Sequence, residues 1–316
     1  MESLGSAPPT QETIDKLRSL HPDDPNGDHP IPDALKREGE EWARGVIIDD
    51  DDVLKAVSSA PKNKSEDLFG WRAEHIAPLL KYPDSLNALT TIFTLICRGS
   101  LPDLAAEAFC SGRLVALLKP DPGGLRPIGI PLIFRRLAGR IYNARSKDNL
   151  QHLFIGLDGR VVQFALGRPC GPQAMSVAMQ ELLKRNPTWI IISLDVKNAF
   201  NSLSRLAMAR GVANSVMRNS FAFFHMCYNK PTEMIYHAAG KMYTVMSKSG
   251  ATQGTSDGMQ HYCLGSHPML VEAAAPHPDV HILSDAPLIP RSLVRPTRQS
   301  LRCATWGTPS FRTAST

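Results

Sequence analysis

Trp189-Ile190-Ile191-Ile192-Ser193-Leu194-Asp195-Val196-Lys197-Asn198-Ala199-Phe200 is the stretch whose reading decides the fold. Its first half is apolar on both faces and rich in β-branched residues, which predicts a strand central in a sheet. Asp195 then falls at the C-terminal end of that strand, where open α/β sheets present functional groups. A carboxylate held there by rigid backbone can bind Mg²⁺, which takes oxygen ligands and keeps waters for substrate phosphates. The plainer alternative is a strand-ending aspartate that caps the next helix.

Upstream, Leu114-Val115-Ala116-Leu117-Leu118 is a short apolar run closed by Lys119-Pro120-Asp121-Pro122-Gly123-Gly124, which is strong turn chemistry. Leu125-Arg126-Pro127-Ile128-Gly129-Ile130 can return as a second strand, giving a hairpin near 112–131. Its proline favours an edge position. A helix from about Leu132 to Leu150 carries Arg135, Arg136, Arg140 and Arg145, and Gly171–Arg185 reads as another helix.

Downstream, helical stretches run through Leu203–Met217. Met234–Ala238 and Met242–Met246 read as a hairpin turned at Gly240. A helix around Met259–Ala274, disturbed by Pro268, and a strand near Val280–Leu283 follow. Near the N-terminus, Ile14, Leu17 and Leu20 recur at helical spacing in Glu12–Leu20, and His21–Pro32 reads as a flexible connector. The acidic run Asp49–Asp52 is read as a helix N-terminus, where carboxylates meet orphan amides and the helix dipole; a metal site is the less economical reading. Helices are also expected at Trp71–Leu80 and at Leu86–Arg98, the latter stopped by Gly99.

A chain of 316 residues, 43% hydrophobic and 21% charged, has the composition of a globular protein with a full hydrophobic core. Its net charge of +5 suits a polyanionic partner without requiring one. The six cysteines are scattered with no Cys-x-x-Cys pair, so neither a zinc site nor a disulfide framework is expected. No apolar run reaches the ~18 residues that span a bilayer, and no signal-peptide pattern opens the chain. An intracellular protein is expected, with no membrane partner.

The strings Lys119-Pro120 with Leu125-Arg126-Pro127-Ile128, then Asp195-Val196-Lys197-Asn198-Ala199-Phe200, then Ser249-Gly250-Ala251-Thr252-Gln253-Gly254 stand in the order and approximate spacing of reverse-transcriptase motifs. From about Gly112 to Leu283 the chain resembles the reverse-transcriptase (RNA-directed DNA polymerase) domain of non-LTR retrotransposons, with weaker likeness back to Asp51. The resemblance implies an α+β, right-hand polymerase fold: fingers over 51–190, and a partial palm with a ferredoxin-like sheet over 191–285. Residues 1–50 would be an N-terminal helix and linker. Asp195 matches the first metal-binding aspartate, with the Val196 carbonyl assisting. Phe200 matches the aromatic gate that disfavours a ribose 2′-OH, although an ordinary core phenylalanine would serve the sequence equally. Lys119 and Arg126 match the cations that grip an incoming deoxynucleoside triphosphate, and Gln253-Gly254 matches the loop that touches nucleotide and template. The implied cofactor is Mg²⁺, and the implied partners are an RNA template and a DNA primer.

Two departures stand out. The family continues Gln-Gly-Asp-Pro-Leu, whereas here Gln253-Gly254 runs into Thr255-Ser256-Asp257-Gly258. The family also supplies a second carboxylate pair from an aromatic-x-Asp-Asp hairpin. The corresponding stretch here is Ile282-Leu283-Ser284-Asp285-Ala286-Pro287, with Asp285 as the one remnant able to act as a catalytic metal ligand. Pro287 and Pro290 are expected to obstruct a returning strand. From Ala286 to Thr316 there is no Asp, Glu or Lys, so 286–316 is read as a disordered or aberrant, frameshifted tail, truncated before the thumb. Little or no DNA synthesis is therefore expected. The competing readings are a catalytically dead nucleic-acid-binding module with a basic fingers surface (Arg113, Arg126, Arg135, Arg136, Arg140, Arg145) and an unrelated α/β protein.

Overall fold

A computed structural model describes residues 5–24, 31–120, 123–150, 152–156, 159, 162–166, 170–192, 196–276, 281–285 and 288–296, the last segment and Asp285 through their backbone. The described chain is mixed α/β. Helix α1 (Gln11–Ser19) starts at Thr10, whose side chain accepts the Thr13 amide. Its Ile14 and Leu17 pack on a four-stranded mixed sheet of β1 (Gly112–Leu118), β2 (Leu125–Pro131), β4 (Thr232–Ala238) and β5 (Lys241–Ser247). The strand order is β2-β1-β4-β5, with β1 and β4 parallel. The expected first hairpin is present, from Gly112↔Pro131 to Leu118↔Leu125, and the proline-bearing β2 takes the edge. The second hairpin turns where Ala239 and Gly240 both hold positive φ, as a tight two-residue connection requires.

A larger core lies among the helices. The acidic run starts α3 (Asp50–Ser58): Asp49 and Asp52 form a reciprocal capping box. Every carboxylate of the run is engaged, Asp50 with Thr90, Asp51 with Lys55 and Asp52 with Arg145. That core also receives Leu89, Phe93 and Ile96 of α5 (Pro83–Cys97) and Leu137 and Ile141 of α7 (Ile133–Leu150). The antiparallel neighbours α10 (Arg205–Ala213) and α12 (Gly258–Ala274) complete it.

Several expectations need correction. The helix at Trp71–Leu80 is shorter and split: α4 (Ala73–Ile76) gives way to a 3₁₀ turn, Ala77–Lys81, where Pro78 removes an amide. Three helices fall outside the expectations: α2 (Asp33–Arg44), α6 (Asp103–Cys110) and α11 (Phe221–Tyr228). Helix α2 carries few apolar residues and docks through Gly39 and Trp42 against Phe221. In α11 nearly every side chain is buried, which erases periodicity. After α8 (Gly171–Arg185), β3 (Trp189–Ile192) is not central. With β6 (His281–Asp285) and β7 (Leu288–Pro296) it forms a second sheet, in which it is an edge strand in the order β3-β7-β6, and Ile190 and Ile191 are 42% and 40% exposed. Its apolar run therefore does not mark a strand buried on both faces. Nor do the prolines stop the return from β6 (His281–Asp285): β7 (Leu288–Pro296) pairs with both β6 and β3. The register shifts between Leu283 and Asp285, and Pro290 falls in that irregularity, where a ladder amide is not needed. Regular structure thus continues past Ala286.

Candidate functional site

The loop that follows β5 ties the separated motifs together. Gly250 has φ +64, and a Cβ there would come 2.0 Å from the Phe200 carbonyl oxygen, so only glycine allows the approach. The next amide, Ala251, donates to that same carbonyl at 2.8 Å. Two residues on, the Gln253 carbonyl accepts the Gly129 amide of β2 at 2.8 Å. Gly254, at φ +118, lies so close to β2 that a Cβ would sit 2.3 Å from the Gly129 oxygen. Three stretches distant in sequence (Arg126–Gly129, Val196–Phe200 and Gly250–Gly254) therefore meet through backbone contacts.

The side chains proposed from the sequence converge less fully. Arg126 and Ile128 share a face of β2 by the two-residue period of a strand, and Gly254 packs against Ile128. Lys119 sits at the far tip of the hairpin, where its amide donates to the Gly124 carbonyl at 2.9 Å. Lys119 is roughly 16 Å along the strand from the level of Gly129 at ~3.3 Å per residue. Phe200 is half-buried, its ring 5.0 Å from that of Tyr262, and Val196 packs at the margin of the helical core. Asp195 lies outside the described residues. Asp285 is described only as the last residue of β6, paired in register with Leu288. Helix α9 (Ala199–Ser202) continues from this segment, and Asn198 and Asn201 both donate to the Leu20 carbonyl, at 2.7 and 2.8 Å.

Beneath the loop lies a buried polar knot that sequence reading missed. Arg205 donates to the carbonyls of Gly250, Tyr228, Lys230 and Ser247 and to the Ser247 hydroxyl, binding the loop, β5 and the end of α11 together. Burial pushes its guanidinium down to about 10, partly countered by Tyr228, so it stays charged at neutral pH. Arg135 is equally buried, donates to the Cys110 carbonyl at 2.9 Å and lies over the Tyr228 ring. Burial disfavours its charge, but Cys227, Tyr228, Cys110 and Asp257 outweigh that and hold it above the usual range. Asp257 faces His261 Nδ1 at 3.4 Å, both fully enclosed. The Thr255-Ser256-Asp257 stretch, where the chain departs from the family string, is the clip itself. Ser256 donates to the Arg136 carbonyl at 2.7 Å and accepts Asn143 on its own carbonyl at 2.6 Å, locking the loop to α7.

The arginines of α7 are therefore not one basic surface. Arg135 points inward, and Arg145 is committed to Asp52 and the Ile47 carbonyl. Arg113, on β1, pairs with Glu66 at 3.5 Å. Arg136 and Arg140, one turn apart, line a small cavity beside Gly254. A second cavity, of about 610 Å³, lies away from the loop between α2, α6 and α11, where burial holds His225 down to about 4.

Among the described residues no group of three or more His, Cys, Asp or Glu side chains comes together to hold a metal ion, and no helix is long and apolar enough to cross a membrane. The described cysteines, Cys97, Cys110, Cys170, Cys227 and Cys263, are free. Set against the families of known proteins and against curated proteins, the chain matches none.

Proposed function

We propose that this chain carries the fingers and part of the palm of a right-hand reverse transcriptase of the non-LTR retrotransposon kind, with nucleic acid as its partner and little or no polymerase activity. One observation supports this most: the Gln253-Gly254 loop is fastened on one side to the strand bearing Arg126 and on the other to the segment that follows Asp195. A polymerase needs that arrangement, because the group that grips the triphosphate, the loop that meets the base and the first metal carboxylate act on one nucleotide. In this reading Asp195, the Val196 carbonyl and Asp285 would hold Mg²⁺, which would supply the charge stabilisation for phosphoryl transfer.

The low activity follows from sequence. Two ions roughly 3.5–4 Å apart need carboxylates from two positions. After Leu283 the chain offers Ser284-Asp285-Ala286-Pro287 in place of an aromatic-x-Asp-Asp. The same observation favours the second reading, a nucleic-acid-binding module without catalysis.

Primer extension on an RNA template, with deoxynucleotides and Mg²⁺ or Mn²⁺, tests both parts. We expect the template–primer hybrid to be retained in a gel shift, weakened by Arg126→Ala, with no extension above background. Product abolished by Asp195→Asn would overturn the inactivity, and failure to bind the hybrid at all would overturn the polymerase reading.

A further inference from the structure

Beside Gly254 the chain forms a cavity of about 160 Å³, walled by α7, by the segment around residues 60–74 and by the clipped loop. Lys64, Arg72, Arg136 and Arg140 line it, together with Glu74 and the Ser256 of the clip. We propose that this cavity binds the phosphate groups of a single-stranded polynucleotide.

The two arginines of α7 are held by hydrogen bonds to neutral groups, with Asp67 and Glu74 near enough to attract Arg136. Arg136 gives one N–H to the Ser65 carbonyl at 3.0 Å. Arg140 uses one edge on the carbonyls of Ala56 and Ser59 and on the Ser59 hydroxyl. All of these acceptors are neutral, and among the described residues neither arginine has a carboxylate hydrogen-bond partner. A guanidinium carries five N–H donors in a planar fork. Each side chain is thus fixed at one edge while donors remain at the other, which lowers the ordering cost of gripping an anion. Burial disfavours the charge of both, and at Arg136 the favourable Asp67 and Glu74 are partly offset by repulsion from Arg140. An anion between them would relieve both penalties. Of the remaining pair, Arg72 is matched by Glu66 at 3.1 Å, whereas Lys64 is exposed.

Size selects the chemical group. Pockets that enclose whole small molecules run to about 300–1,000 Å³. At about 160 Å³ this one suits a phosphate and excludes a nucleoside. Shape selects the strand: the cations surround one concavity between three chain segments, so a backbone must bend into it, which a single strand does and a duplex resists. Four cations stand against Glu66, Asp67 and Glu74, a surplus too small to retain a free phosphate firmly. A polymer adds counterion release at each neutralised phosphate. The proposal rests on the nucleic-acid-binding reading above and deepens it, but it does not use Asp195 or Arg126, so it can fail separately from the polymerase assignment.

The test is fluorescence anisotropy of the full chain with labelled single-stranded RNA, in EDTA and without primer or deoxynucleotides, over a range of salt. Lys64→Gln, Arg136→Gln/Arg140→Gln and Arg136→Lys/Arg140→Lys are compared, with thermal melting as the check on folding. We expect binding by the natural chain. The double glutamine variant should give a log–log salt slope shallower by about 1.4, two phosphates at about 0.7 each. Lys64→Gln, which removes an exposed side chain, should lose about half that, and the double lysine variant should keep most of the slope. An unchanged slope in Lys64→Gln and in a folded double glutamine variant overturns the site. Inorganic phosphate titrated alone separates the sources: saturable phosphate binding that needs Arg136 and Arg140, without RNA binding, overturns the polynucleotide assignment. If Arg126→Ala abolishes binding of the template–primer hybrid but leaves single-strand binding intact, the two sites are separate, as proposed.

Discussion

The interior knot and the small cavity are built from the same residue type, yet they do opposite things. Arg205 spends its donors on carbonyls inside the protein, while the buried Arg135 gives one bond to the Cys110 carbonyl and lies over the Tyr228 ring, and the result is architecture. Arg136 and Arg140 are anchored at one edge only and keep donors facing a concavity. A basic stretch in a sequence is therefore not a surface. At about 100° per residue, adjacent arginines on a helix face different worlds, and what each meets decides whether it stabilises or binds.

The hardest test of this contrast is Arg205→Met. It leaves the carbonyls of Tyr228, Lys230, Ser247 and Gly250 without their donor, and buried acceptors stranded in this way are expensive. A loss of about 3–5 kcal/mol is expected in urea unfolding, a large part of a typical total of roughly 5–15 kcal/mol. A loss below about 1 kcal/mol would mean that the interior arginines are as dispensable as rim ones.

Gly254→Ala probes the boundary between the two regions. Positive φ and the close Gly129 oxygen leave no room for a methyl group, so about 1–3 kcal/mol should be lost. The Gly129 amide, whose acceptor is the Gln253 carbonyl, should exchange with solvent faster. Normal protection of that amide would show that the loop is not held as described.

The smallest effect is the response to acid. Burial, with Lys36 adding to it, holds His225 at about 4, and burial also lowers His261 despite its Asp257 neighbour. His225 is thus neutral when folded down to about pH 4, while in the unfolded chain it protonates near the ordinary value of about 6.5. Stability is thus fully present above about pH 6.5 and falls as the pH drops toward 4, by about 1 kcal/mol at pH 5.5. Urea midpoints at pH 7 and 5.5 would check this, with His225→Gln losing part of the difference. The arginines of the cavity do not titrate in that range, so the salt slope of RNA binding should be the same at both values.

Local signals were the legible ones. The acidic run of Asp49–Asp52, the proline-marked edge strand and the turn at Gly240 each rest on chemistry within a few residues, and each was readable in advance. The apolar run of Trp189–Ile192 was not, because apolarity predicts a strand between two neighbours, whereas this one lies at a sheet edge with Ile190 and Ile191 exposed. The strand at Leu288–Pro296 was missed for a related reason: a bulge at its partner removes the amide requirement that makes proline a strand breaker.

The sequence alone determined the two hairpins, the acidic helix start and the loop glycines, because turn chemistry, capping and positive φ are local properties. Only the tertiary structure decided which arginine is buried, that Ser256 fastens the loop, and that Gly254 rests on Gly129. Those facts depend on residues from 23 to more than a hundred positions apart, and no local pattern encodes which distant carbonyl a donor will find.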